Sequence, residues 1–121
     1  MRSLFAVIAG GLVGTALRLG ADVLVPIEWA TFVVNVAGAF VLGLLVAKLW
    51  PRVPDWMRAG LGAGLLGSFT TFSAVAVIAV EGPLWQAALY VVVSVVFGLA
   101  AAFLGLWLGR RPAAPIDPVN E

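Results

Sequence analysis

Residues 67–75 read G-S-F-T-T-F-S-A-V, and four of them carry hydroxyls (Ser68, Thr70, Thr71 and Ser73) in a stretch that is apolar on both sides. A hydroxyl in a membrane helix can hide by bonding the carbonyl four residues back. So many in a single short run, just after Gly62, Gly64 and Gly67, point instead to a backbone that leaves the helix. Glycine weakens a helix, and neighbouring hydroxyls satisfy the backbone groups that are freed. The segment therefore predicts a break near residues 67–71. A broken membrane helix exposes carbonyl oxygens at one end and amide hydrogens at the other, which suit a cation and an anion respectively. This is the chemistry of ion binding, not of bond making.

Few other polar side chains interrupt the apolar sequence, and each has two readings. Asn35, in T-F-V-V-N-V-A-G-A-F, lies one turn beyond Thr31 on the same helical face. Its amide either bonds across a helix interface or turns its NH2 donors to a permeating anion. Tyr90 and Ser94 are four apart and, with Gly98, make a small polar stripe that suits an interface or a pore lining. Arg18 precedes Asp22 by one turn. It is either a snorkelling cation paired with a carboxylate or a vestibule charge that concentrates anions.

Composition excludes other classes. The chain is 63% hydrophobic and only 11% charged, with a net charge of +1. That is far more apolar than a soluble domain, so the solvent is lipid. The seven Lys and Arg are scattered, which argues against nucleic-acid binding. With no Cys and no His, thiolate catalysis, Cys/His zinc sites and imidazole chemistry are ruled out. No catalytic constellation is present, so an enzyme is not expected. A small proton-coupled multidrug transporter, similar in size, needs a carboxylate in its first helix, and the middle third of every apolar stretch lacks one. A passive channel fits better than a pump.

Four apolar stretches must position these groups: Leu4 to Val25, Trp29 to Trp50, Trp56 to Val80 and Leu84 to Leu108. Each can cross about 30 Å of hydrocarbon. The first, after Arg2, resembles a signal peptide but is glycine-rich and continues past Arg18, so it reads as a retained helix. Residues 1–109 make a four-helix transmembrane unit, and the proline-rich 110–121 reads as a disordered cytoplasmic tail. Tryptophans 29, 50, 56, 85 and 107 fall near span ends, as an interfacial belt should. Arg2, Lys48, Arg52, Arg58, Arg110 and Arg111 share one side, and the opposite loops hold Glu28 and Glu81, which puts both termini in the cytoplasm. GxxxG pairs at Gly10/Gly14 and Gly60/Gly64, and the small residues Ala37, Gly38, Ala39 and Gly43, allow close helix packing and imply oligomerisation.

Three ordered motifs carry a resemblance. G-G-L-V-G-T-A-L-R at Gly10 to Arg18, T-F-V-V-N-V-A-G-A-F-V-L-G at Thr31 to Gly43, and G-S-F-T-T-F-S at Gly67 to Ser73 resemble the Fluc/CrcB fluoride channels across all four stretches. The resemblance implies an all-α membrane protein, with four transmembrane helices and the third broken near its middle. It also implies an antiparallel, dual-topology-type dimer in the bacterial inner membrane. Such a channel lets cytoplasmic fluoride leave passively and lowers its toxicity. Hydrogen fluoride enters as a neutral acid and ionises inside, and the trapped anion then leaves down its gradient. The resemblance assigns Asn35, Phe72 and Ser73 to the fluoride path, with Tyr90 and Ser94 as its polar track; Thr31 and Thr71 are counted beside them from their own positions, and Arg18 as the vestibule charge. It assigns the backbone carbonyls of Gly67 and Thr70 to a structural sodium that is not transported. Bottom-up, hydroxyl, amide and aromatic-edge donors can replace the water around fluoride without a fixed charge that would trap it.

Two features depart from the family pattern. T-T-F-S-T-F is common in the family, whereas this chain has Thr70-Thr71-Phe72-Ser73-Ala74-Val75. The strong charge bias also suits one orientation, while an antiparallel homodimer needs two. Together they raise a heterodimer with an oppositely biased homologue, in which one pore is degenerate. The alternative functions are a non-conducting structural subunit of such a heterodimer and, last, a multidrug transporter.

Overall fold

Three of the helices begin directly after a proline: Pro26, Pro54 and Pro83 are the N-caps of the helices that start at Ile27, Asp55 and Leu84. A missing N–H costs nothing at that position, and proline's fixed φ is preset for entry into the helix. The computed structural model describes residues 1–110. In it α1 spans Arg2–Leu24 and α2 Ile27–Lys48, followed by a 3-10 turn at Trp50–Arg52. The third stretch is composite: α3 (Asp55–Ala59), a π-helical segment (Gly60–Leu66), α4 (Gly67–Phe69) and α5 (Ser73–Glu81). Helix α6 spans Leu84–Gly109. Four helical stretches, Arg2–Leu24, Ile27–Arg52, Asp55–Glu81 and Leu84–Gly109, are long and apolar enough to cross a membrane. The tail expected at 110–121 lies, past Arg110, outside the described residues.

Small residues set two close seams. In the first, α1 packs on the π segment. A Cβ on Gly10 would collide with the Gly60 carbonyl and the Leu65 amide, and one on Gly14 with the Leu65 carbonyl. Gly60 and Gly64 abut Ala6 and Val7 in return, so the two GxxxG pairs interlock backbone to backbone. The widened turn of the π segment was not legible in the sequence. There the Gly67 N–H reaches the Gly62 carbonyl, five residues back. The second seam joins α2 and α6, the most extensive helix pair in the fold. A Cβ on Gly43 would strike the Ala102 carbonyl, and one on Gly105 the Phe40 carbonyl.

Polar bonds fasten the elements at chosen points. At one end Arg52 Nη1 donates to the Lys48 carbonyl (2.6 Å) and Arg58 Nε to the Val53 carbonyl (3.2 Å), which closes the turn between the second and third stretches. At the other end Tyr90 Oη donates to the Glu28 carbonyl (2.8 Å), tying α6 to the start of α2. The buried apolar set is small, consisting of Ala30, Val34, Leu66, Val75 and Ala87 among the described residues. Large side chains such as Leu12, Phe97 and Phe103 point outward.

Candidate functional site

The site begins where helical hydrogen bonding stops. Thr70 ends the last turn with both its N–H and its Oγ1 on the Leu66 carbonyl, each at 2.9 Å. Its backbone is then extended (φ −82°, ψ 155°), and helix resumes at Ser73. Between them, Asn35 of α2 meets Thr71 edge to edge. Asn35 Nδ2 donates to the Thr71 carbonyl (2.8 Å), and the Thr71 N–H donates to Asn35 Oδ1 (2.8 Å). The paired donor and acceptor fix which way the amide faces.

The Thr71 side chain serves the start of α5. Its Oγ1 accepts from the Ala74 N–H (3.3 Å), the bond an N-cap threonine makes, and lies 2.9 Å from Ser73 Oγ. When Thr71 donates to Ser73, the Ser73 proton is left free to point elsewhere.

These bonds have a consequence for the backbone. In an unbroken helix the Thr71 N–H would donate to the Gly67 carbonyl and the Ala74 N–H to the Thr70 carbonyl. Both donors are diverted, the first to Asn35 and the second to the Thr71 hydroxyl. Among the described residues neither carbonyl receives another backbone donor. Neutral oxygens freed at an unwound helix are the donor set that suits a hard monovalent cation. Gly67 and Thr70 therefore fit a sodium ion chemically.

A groove of about 580 Å3 opens beside the interruption. It is lined by Asn35 from α2, by Gly67, Thr70, Thr71 and Phe72 from the interruption, and by Ser94 from α6. The Phe72 ring is 79% exposed. Ser94 Oγ is buried and finds no hydrogen-bond partner among the described residues. A buried hydroxyl without a partner carries a free-energy cost of about 1–3 kcal/mol, so it is a donor in want of an acceptor. Thr70 is seated here by Gly38, where a Cβ would run into its methyl group. Val75, at one of the two departures from the family pattern, is buried at the groove's edge, and Ala74 is part-buried.

The other expected residues lie elsewhere. Thr31 is fully buried, and its Oγ1 accepts from Arg18 Nη2 (2.9 Å). Arg18 is itself buried, with Nε on both oxygens of Asp22 (3.0 Å each) and Nη1 without a partner among the described residues. Neither lines the groove. Tyr90 faces a separate cleft with Glu28, Trp29, Phe32 and Gln86. Ser73 is exposed next to the groove. Sequence reasoning missed the reciprocal Asn35–Thr71 pair and the Arg18–Thr31 bond, because both join residues far apart in the chain. It also missed Trp50, which packs on Gly62 with its indole N–H buried and unpartnered among the described residues.

Four apolar helical stretches around a small polar groove define a multi-pass membrane protein. The family model for "CrcB-like protein, Camphor Resistance (CrcB)" matches residues 5–106, and the chain belongs to this family. It is similar to the "Fluoride-specific ion channel FluC" of Hyphomonas neptunium, 38% identical over 92% of this chain and 98% of that one. It is likewise similar to the protein of the same name from Chelativorans sp., 42% identical over 91% of this chain and 85% of that one. The "Fluoride-specific ion channel FluC 1" of Mycobacterium tuberculosis is 40% identical over 91% and 92% respectively. These relatives are named as channels, not enzymes.

Proposed function

We propose that the chain is a subunit of a fluoride-selective channel that lets cytoplasmic fluoride leave the cell passively. The observation that carries the reading is the interruption at Thr70–Phe72 beside a groove whose polar groups are neutral. The third stretch acts as a broken helix, and its two sides have different tasks. Phe72, Ser73, Ser94 and the remaining Nδ2 hydrogen of Asn35 offer weak donors to the anion, with Thr71 positioning Ser73. Tyr90, one turn before Ser94 on α6, stands outside this groove with its hydroxyl on the Glu28 carbonyl, and holds α6 against α2 at that end of the path. Neutral donors suit a strongly hydrated anion that must also leave. On the other side the carbonyls of Gly67 and Thr70 hold a structural sodium, which cross-links main chain without entering the path. Arg18 and Thr31 support the vestibule end of α1 and α2, and the Asp22 carboxylate offsets the Arg18 charge.

The working unit is an antiparallel dimer. Support comes from the small buried core and the outward apolar faces, together with a polar groove that is open on one side. The charge bias favours both termini in the cytoplasm for this chain, and with Ala74 and Val75 it favours an oppositely inserted homologue as partner. Copurification of that homologue in equal amount tests the pairing. A stable conducting dimer of this chain alone overturns it. Function is tested in a bacterium made sensitive to fluoride. Expression of the chain, with its partner where one exists, restores growth in fluoride; no rescue in either arrangement rejects the channel.

A further inference from the structure

Among the described residues, Asn35 is the one side chain that bonds both main-chain groups of a single residue in the interruption. By accepting the Thr71 N–H it removes the donor that a continuous helix would aim at the Gly67 carbonyl. We propose that Asn35 is a positioning residue for the cation site: its amide keeps the Gly67 carbonyl open and so couples the groove to sodium binding. This rests on the reading of Gly67 and Thr70 as sodium ligands given above, and adds a role for Asn35 besides contact with the anion. The geometry separates the two halves of the amide. The oxygen governs the cation side through the Thr71 N–H. The nitrogen fixes the Thr71 carbonyl and keeps one hydrogen toward the groove. If the oxygen is lost, the Thr71 N–H is buried without an acceptor, and its nearest replacement is the Gly67 carbonyl. Sodium must then break that bond before it can bind.

The test reads sodium and not only flux. Dimer dissociation in detergent is followed by size exclusion as sodium is replaced by N-methylglucamine, for the unmodified protein, Asn35→Leu and Asn35→Asp. Asn35→Leu keeps the volume and loses both bonds. Its sodium midpoint should rise by roughly tenfold, the factor that corresponds to about one hydrogen bond. Asn35→Asp keeps an acceptor for the Thr71 N–H, so its midpoint should stay at or below that of the unmodified protein although its fluoride flux is lost. Equal midpoints in all three proteins would make Asn35 an anion ligand alone and overturn the proposal. A rise in Asn35→Asp matching that in Asn35→Leu would also overturn it. If the unmodified dimer ignores sodium, the sodium reading itself fails and takes this inference with it, an outcome distinct from equal sodium midpoints.

Discussion

Arg18 donates through Nη2 to Thr31 Oγ1 at 2.9 Å, so a buried guanidinium on α1 is fastened to a fully buried hydroxyl on α2. Its Nε is held by Asp22, which makes the cluster close to neutral. Arg18→Met strands a carboxylate that is 29% exposed. The cost should be about 2 kcal/mol, below the ~3–5 kcal/mol of a fully buried pair. Asp22→Leu added to Arg18→Met should recover most of it in thermal unfolding. If Arg18 served only as a vestibule charge, stability would not move.

The α2–α6 seam is set by glycines. Gly105→Ala puts a methyl against the Phe40 carbonyl and should cost about 1–3 kcal/mol, read as a lower unfolding midpoint in detergent. Gly98→Ala meets nothing within 4 Å in the protomer and should be neutral or stabilise by about 0.5–1 kcal/mol. A loss of dimer, with the protomer still folded, would place Gly98 at the interface.

Thr71 acts through its hydroxyl on the start of α5 and on Ser73. Thr71→Val keeps the shape and removes the hydroxyl that accepts the Ala74 N–H, at about 1 kcal/mol. The Ala74 N–H then returns to the Thr70 carbonyl. Fluoride flux should fall, and the sodium needed to hold the dimer should rise, while Thr71→Ser retains both.

Ser94 separates stability from function. Its buried Oγ has no partner among the described residues, so Ser94→Ala removes a cost of up to about 1–3 kcal/mol and should leave the protein as stable or more so. Flux should fall in the same variant. Reduced stability would instead mean that Ser94 bonds within the fold.

Much of this architecture was legible in the sequence, for local reasons. Long apolar runs and GxxxG pairs each act within a few residues, and they marked the four stretches and the small-residue faces of the first and third. The hydroxyls after Gly67 fall at the junction between α4 and α5. What the sequence withheld were bonds between distant residues. Nothing in the spacing links Asn35 to Thr71, 36 positions apart. Arg18 read equally well as snorkelling or as a vestibule charge, and only the meeting of α1 and α2 places its guanidinium on Thr31. Likewise, the π turn at Gly60–Leu66 depends on how closely α1 approaches, which composition does not set.

The central claim is that a groove of neutral donors, opened by a lapse in the third helix, passes fluoride. Its most direct test is efflux from proteoliposomes loaded with equal fluoride and chloride, followed with ion-selective electrodes after a potassium ionophore releases the charge. The account predicts rapid fluoride release with chloride retained, from this chain or from it with its homologue, and no release from Asn35→Asp. Fluoride retained in both arrangements, or chloride released as fast as fluoride, would contradict it.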